Sequence, residues 1–352
     1  MPDKIMRFDL NRLVRENVKA LHPYSSARDE YISDGSEKIF LDANENPFNN
    51  GINRYPDPQQ RNLKAVLATQ KELHEDQILL GNGSDEVLDL IFRAFCEPKE
   101  DNVITMPPTY GMYGVLAAIN NIENREVLLA EGFVLDETVL FENIDANTKI
   151  IFLCSPNNPT GHSFPKEQIR NILETFRGLV VLDEAYIDFS TKQGWLSELS
   201  GYKNLIITQT FSKAYGMAGI RLGCCYASSD IIAILNKIKP PYNVNELTQQ
   251  RALQAASNTA SVARQVKMIL EERGRLEKAL KAMPFVRKMY PSDANFILVE
   301  VDDANKRYQQ LLKKGIIVRN RSNQHLCTNT LRFTIGAPEE NDSLINALTK
   351  LV

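Results

Sequence analysis

The chain has 352 residues, of which 43% are hydrophobic and 24% charged, with a formal net charge of −3. That length supports a large core, and a division into two lobes is expected from it. The charge offers no electrostatic case for nucleic acid or an anionic membrane as partner. No apolar run approaches the roughly 20 residues of a membrane span, and the first ten residues mix Asp, Lys and Arg with apolar residues, unlike a secretory signal. Five scattered cysteines without a CxxC spacing, and only four histidines, argue against a disulfide framework or a zinc site. A reducing, cytoplasmic setting is the expectation.

In chain order, residues 1–39 read as a polar arm with one helix from Leu10 to Leu21, stopped at His22-Pro23. Lys38 to Pro47 predicts a short strand running into a turn, and the Asn, Gly and Pro of the next ten residues predict a loop that carries Tyr55. From Arg61 onward helices and short apolar strands alternate. Strands are predicted at Gln77 to Leu80, Asn102 to Met106, Arg125 to Leu129, Lys149 to Cys154, Leu179 to Leu182 and Leu205 to Ile207. Helices are predicted up to Phe95, from Tyr110 to Ile119 and from about Lys166. Residues 230 to 282 read as helical, with one long amphipathic stretch from Asn245 to Ala282. Beyond Pro284 come strands at Phe296 to Val301, Ile316 to Arg319 and Leu331 to Ile335, and helices at Ala304 to Lys314 and Pro338 to Leu351.

Continuous apolar strands separated by helices predict an α/β fold whose mostly parallel sheet is covered on both faces. The expected division is an arm at 1–39 packing with the small domain, a large domain at 40–282 and a smaller α+β domain at 283–352. Ligands in such sheets gather at the carboxyl ends of the strands. Ser84, Asn158, Asp183 and Lys213 all stand just past predicted strands.

The chemistry of these residues is specific in combination. Lys213 follows a buried strand, where desolvation lowers an amine's pKa and frees it as a nucleophile toward a carbonyl. Asp183 ends an apolar strand, and a partly buried carboxylate needs a cationic partner; the protonated ring nitrogen of pyridoxal phosphate is one candidate. Tyr186 and Asn158 can hydrogen-bond such a cofactor's phenolic oxygen, and Tyr110 can stack on a planar ring. Gly81 to Glu86 puts glycines before a helix N-terminus, a site for phosphate. Backbone N–H groups at Ser84 and Asp85 would do most of that binding, with Ser212 and Arg221 completing the cradle. Neither GxxxxGK[ST] nor GxGxxG occurs, so a nucleotide site finds no support.

Ser155-Pro-Asn-Asn-Pro-Thr-Gly161, Asp183-Glu-Ala-Tyr186 and Ser212-Lys213 with Arg221 resemble the fold type I pyridoxal-phosphate aminotransferases. Within them the chain is similar to the histidinol-phosphate aminotransferases, on Pro23 to Arg28, Leu41 to Pro47, Arg54-Tyr-Pro56, Pro108 to Tyr113, Pro291 to Phe296, Arg319 and Leu331-Arg332. The resemblance implies a large domain with a seven-stranded type of sheet, pyridoxal 5'-phosphate as cofactor, and a homodimer. It implies that Lys213 binds the cofactor's aldehyde and moves the proton at the substrate Cα. It further implies that Asp183 pairs with the ring nitrogen, that Tyr110 stacks on the ring, and that Tyr55 reaches the neighbouring subunit's cofactor phosphate. Arg332, Arg319 and Tyr24 are implied as the substrate-binding group, for histidinol phosphate in one half-reaction and glutamate or 2-oxoglutarate in the other. Phe211 and the pair Cys224-Cys225 depart from residues common in relatives and read as packing.

Two other enzyme readings share these motifs: an aromatic amino-acid aminotransferase and a threonine-phosphate decarboxylase. A transcriptional regulator built on this fold would need a DNA-binding segment, and the arm has neither a helix-turn-helix pattern nor a basic balance.

Overall fold

The structure is a computed structural model and describes residues 8–24, 26, 28, 36 and 38–351. A seven-stranded sheet is built from β1 (Ile78–Asn82), β2 (Asn102–Thr105), β3 (Glu123–Glu126), β4 (Thr148–Cys154), β5 (Leu179–Asp183), β6 (Leu205–Thr210) and β7 (Leu222–Tyr226). Their spatial order is β1-β7-β6-β5-β4-β2-β3. β7 alone runs antiparallel to both its neighbours, so β1 is parallel to β6, as are β2 to β5. A four-stranded antiparallel sheet of order β10-β11-β9-β8 forms the smaller lobe, from β8 (Val286–Met289), β9 (Phe296–Val301), β10 (Arg319–Asn320) and β11 (Thr330–Thr334).

The central strands are apolar throughout because each serves two cores. Ile151 and Leu153 of β4, with Val180 and Leu182 of β5, enter one core. Ile150 and Phe152, with Leu179 and Val181, enter the core on the other face. This is the two-residue alternation of a strand, and each such buried side chain contributes roughly 1.5–3 kcal/mol. Cys224 and Cys225 divide between the two cores in the same way, and Phe211 is buried, as the packing reading expects. Helix Gly83–Phe95 lays Val87, Leu88, Ile91 and Phe95 onto the second core.

Several predicted elements differ. The helix expected from Leu10 to Leu21 is two short helices, Leu10–Leu13 and Glu16–Ala20, broken by the extended backbone of Val14. Leu13, Val14 and Val18 are buried in the large lobe's second core, and Arg15 binds Glu97 at 3.0 Å. This part of the arm therefore packs on the large lobe, not on the small one; residues 1–7, 25, 27, 29–35 and 37 of the arm lie outside the described residues. Residues 38–41 form no strand, and Ile39 and Leu41 are exposed. The long helix expected from Asn245 is two, Glu246–Ala256 and Thr259–Lys281, parted at Ser257 and Asn258. Pro240 and Pro241 separate them from helix Ser229–Ile238, since proline cannot donate the next helical bond. β8 escapes sequence reading because Arg287 and Lys288 are adjacent and both exposed. β10 is only two residues long and shares just Arg319 with the strand predicted at Ile316 to Arg319. Among the described residues no helix is long and apolar enough to cross a membrane.

The antiparallel insertion of β7 requires close approach. An added Cβ on Gly223 would lie 2.3 Å from the Ser84 nitrogen and 2.4 Å from the Gly83 carbonyl carbon, both backbone atoms that cannot move aside. Gly223→Ala is therefore expected to lower stability by about 1–3 kcal/mol through displacement of the Gly83–Ser84 turn. Denaturant unfolding measures this; a variant as stable as the wild type would show that the turn yields freely.

Candidate active site

β1, β2, β4, β5 and β6 all end at one edge of the sheet, and β7 begins there. The turns at this edge bring together one side chain after another. Ser84 and Asp85 open the helix that follows β1, Tyr110 follows β2, and Asn158 follows β4. Asp183 is the last residue of β5, Ser212 and Lys213 follow β6, and Arg221 immediately precedes β7. These residues and Tyr186 line a single cavity, with Cys154, Ala185, Thr210 and Ala218 between them.

Local bonding holds each loop in place. Asn157 donates to the Pro108 carbonyl and to Thr160 Oγ1, both at 2.8 Å, and accepts from Thr109 Oγ1 at 2.8 Å. That fastens the Tyr110 loop to the Asn158 loop. Phe211 N–H donates to the Leu222 carbonyl and Met217 N–H to the Phe211 carbonyl, each at 3.0 Å. Phe211 stacks on Tyr215 at 4.2 Å. The loop carrying Lys213 is thereby pinned to the start of β7.

Asp183 lies at the cavity floor. Its Oδ2 accepts from Tyr113 Oη at 2.7 Å and its Oδ1 from the Ala185 N–H at 3.1 Å. Burial pushes its pKa up, against the lowering effect of the Tyr113 hydrogen bond. Tyr113 is fully buried and stacked on Phe152 at 5.0 Å. The sequence motif Pro108 to Tyr113 contains this tyrosine but does not reveal its role; the signal is its position three residues after Tyr110, at the start of a helix.

Lys213 is half-buried, with its Nζ 5.6 Å from the centre of the Tyr186 ring. Burial lowers its pKa first, and the nearby Arg332 charge adds to that. Asn158 donates from Nδ2 to Tyr186 Oη at 3.4 Å and accepts from Arg332 Nη1 at 2.5 Å. Arg332, over the Phe296 ring at 5.0 Å, is the small lobe's reach into the site; burial, then the Arg321 charge, lowers its pKa to about 10.

Arg221 adopts a left-handed backbone with φ 52°, and its Nη2 lies 3.4 Å from Asp85 Oδ2. Asp85 Oδ1 accepts from Tyr110 Oη at 3.0 Å. A Cβ added at Gly83, which sits at φ +79°, would fall 2.5 Å from Arg221 Nη2, so the guanidinium would have to move.

Three expected site residues stand apart from this cavity in the single chain. Tyr55 stacks on Tyr242 at 4.4 Å and is half exposed; its N–H donates to Glu45 Oε1 at 2.6 Å. Tyr24 is exposed. Arg319 is exposed and faces Arg332 across the β10-β11 ladder.

The description "Aminotransferase class I and II" matches residues 33–348. The chain belongs to that aminotransferase family. It is 62% identical to the histidinol-phosphate aminotransferase of Flavobacterium johnsoniae, over 98% of this chain and 99% of the relative. Among solved structures it resembles the histidinol-phosphate aminotransferase from Clostridium acetobutylicum, with a TM-score of 0.79 and 25% identity, over 85% of this chain and 91% of that one. The Sinorhizobium meliloti enzyme, solved in complex with pyridoxal-5'-phosphate, matches with a TM-score of 0.78 and 24% identity, over 85% and 84%. The fold type I architecture expected from the motifs is thus the one observed.

Pyridoxal phosphate is the cofactor of these aminotransferases, and the cavity fits it. A buried carboxylate without an ion pair among the described residues suits a protonated ring nitrogen. A glycine turn at a helix N-terminus, with an arginine beside it, suits a phosphate. A half-buried amine with a lowered pKa suits an aldehyde.

Because burial raises the pKa of Asp183, its ionised form costs folding free energy above that pKa, a cost an amide does not carry. Asp183→Asn, freed of cofactor, is expected to be at least as stable as wild type at neutral pH. Its affinity for pyridoxal phosphate should fall about tenfold or more, from the loss of a charge-assisted contact. Thermal melts and cofactor titration check both. Lower stability with unchanged affinity would remove Asp183 from the cofactor's partners.

Proposed function

We propose that this chain transfers an amino group from L-histidinol phosphate to 2-oxoglutarate, giving 3-(imidazol-4-yl)-2-oxopropyl phosphate and L-glutamate, in L-histidine biosynthesis. The observation that carries the reading is that half-buried Lys213 lines one cavity with the buried carboxylate of Asp183, a cavity that Arg332 of the small lobe reaches through its bond to Asn158. The high identity to histidinol-phosphate aminotransferases over nearly the whole chain supports it.

Bound pyridoxal phosphate supplies an aldehyde for the amino group and a protonated ring that withdraws electrons from the substrate Cα. In this proposal the chain's residues divide the remaining work. Asp183, oriented by Tyr113, keeps the ring nitrogen protonated. Asn158 and Tyr186 face the phenolic oxygen, and Tyr110 lies against the ring. Ser212, Arg221 and the N–H groups of Ser84 and Asp85 hold the phosphate. Lys213 Nζ takes the proton from the substrate Cα; its lowered pKa brings the neutral, basic amine within reach of milder pH than an ordinary lysine allows. Arg332, Arg319 and Tyr24 bind the substrate's anionic end.

The active unit in this reading is a homodimer in the cytoplasm. Ile39, Leu41 and Phe48 are exposed close in sequence to Tyr55, and large apolar side chains left in water mark a surface for a partner. A second copy covers them, and Tyr55 serves the neighbour's phosphate site. All five cysteines are free and buried, which suits a reducing compartment. We further propose 40–282 as the cofactor-binding domain and 283–352 as the substrate-side domain.

Lys213→Ala is expected to lower transamination by roughly 10²–10⁴-fold or more, and borohydride should no longer fix cofactor to the protein. Retained turnover would exclude Lys213 as the base. With wild type, histidinol phosphate should be the best donor in a comparison with phenylalanine and threonine phosphate. Carbon dioxide release from threonine phosphate would favour the decarboxylase reading instead.

A further inference from the structure

The rim of the site holds a third arginine that the reading above does not use. β10 and β11 pair with Arg319 opposite Arg332 and Asn320 opposite Leu331. The ladder runs one step further, where the Arg321 N–H donates to the Thr330 carbonyl at 3.0 Å. Side chains alternate along a strand, and directly opposed residues share a face. Arg319, Arg321 and Arg332 therefore project from the same face of the small sheet. The opposite face is the lobe's own core, where Leu331 and Phe333 pack with Ile297 and Val299. The arginine face turns to the large lobe: Leu298, paired with Arg332, is buried in a large-lobe core, and Arg332 reaches Asn158.

Arg321 is half-buried, and its Nε is buried without a hydrogen-bond partner. Arg332 Nε, Ser322 Oγ and Gln324 Oε1 share that condition, so four of the nine such atoms among the described residues fall within residues 321–332. Buried polar groups are nearly always hydrogen-bonded, and a concentration of unpaired ones beside a cleft marks a place where a polar ligand completes the bonding. The charges agree. Burial, then Arg319, disfavours the Arg321 cation, and no ion pair with a carboxylate relieves the cluster among the described residues.

We propose that Arg321 is a specificity-determining residue, which with Arg319 and Arg332 forms a three-arginine face selecting a phosphate monoester dianion over a carboxylate. The inference rests on the proposed activity and deepens it. A phosphate monoester carries up to two charges at neutral pH, with a second pKa near 6, and offers three acceptor oxygens. A carboxylate carries one charge and two oxygens, which a single guanidinium satisfies bidentately. The third arginine therefore adds little for a carboxylate and much for a phosphate.

The two half-reactions of the holoenzyme test this separately, by stopped-flow absorbance with histidinol phosphate or glutamate as donor. Arg321→Gln is expected to lower kcat/KM for histidinol phosphate roughly 10- to 100-fold and that for glutamate by a clearly smaller factor. Arg321→Lys, which keeps the charge, should recover part of the loss. The rise of wild-type kcat/KM as the substrate phosphate ionises through about pH 6 should flatten in Arg321→Gln. Equal losses for both donors with an unchanged pH profile would overturn the proposal and leave Arg321 a structural residue. A wild type that uses glutamate but ignores histidinol phosphate would instead refute the substrate reading. Competitive inhibition by inorganic phosphate then decides for Arg321: it should weaken in Arg321→Gln, and equal inhibition of both proteins would overturn the role.

Discussion

Asp183 is a carboxylate buried at the end of a core strand, where the Tyr113 hydroxyl and the Ala185 N–H, both neutral donors, reach it. Taking an ionised carboxylate out of water costs several kcal/mol unless a cation is paired with it. Among the described residues no ion pair fills that role. Much of the surrounding structure follows from holding this group still. Tyr113 is fixed by stacking on Phe152 and meets Tyr110 edge-on at 5.6 Å. The strand bearing Asp183 is clamped between β4 and β6. A group this constrained presents its charge in one direction, into the cavity, and electrostatic preorganisation of that kind is where enzymes obtain much of their rate.

Lys213, half-buried nearby, is governed by the opposite effect. Burial disfavours its charged form, and Arg332 and Arg221 add to that, while Asp183 opposes them. One low-dielectric setting thus raises the pKa of the acid and lowers that of the amine, the divergence expected where acid and base roles are separated. The topology makes the arrangement available. Because β7 alone runs backwards, its first residues enter at the edge where its neighbours end, and Arg221 arrives beside the Gly83 turn. The absence of side chains at Gly83 and Gly223 lets the backbone and the Arg221 guanidinium approach closely.

Much of this was legible in the sequence, for reasons that can be stated residue by residue. Continuous apolar runs such as Leu179 to Leu182 mean a strand buried on both faces, and they fixed the sheet and its functional edge. Asp183, Asn158 and Lys213 were found because each follows such a run. What escaped reading depends on neighbours distant in sequence. The arm's Leu13 and Val18 find the large lobe only in three dimensions. The Phe40 carbonyl of the predicted strand accepts instead from the Arg54 guanidinium. Tyr113 gains its role from a carboxylate 70 residues away. Arg321 lies beyond the end of the strand predicted at Ile316 to Arg319, and β10 itself is only two residues long, so alternation in the sequence does not place it beside Arg319.

That shortness has a physical meaning. The cofactor-side residues stand on strands fixed by two cores, where a change in one side chain disturbs dense packing. The arginines stand at the opposite extreme: β10 is the edge strand of the small sheet, and Arg319 on it is exposed. An edge position accepts charged side chains with little strain, and charge on an edge also discourages pairing with another chain's strand. On the proposed reading, recognition of the substrate's anionic end falls where the fold tolerates variation, while the common chemistry falls where it does not. Arg332 joins the two regimes. It belongs to the small sheet by its backbone, yet its guanidinium bonds Asn158, which in turn donates to Tyr186. An anion drawing Arg332 toward the arginine face would compete for the guanidinium that now holds Asn158. On the proposed reading, substrate binding at the arginine face would be coupled, through one side chain, to the hydrogen bonds of Asn158 and Tyr186.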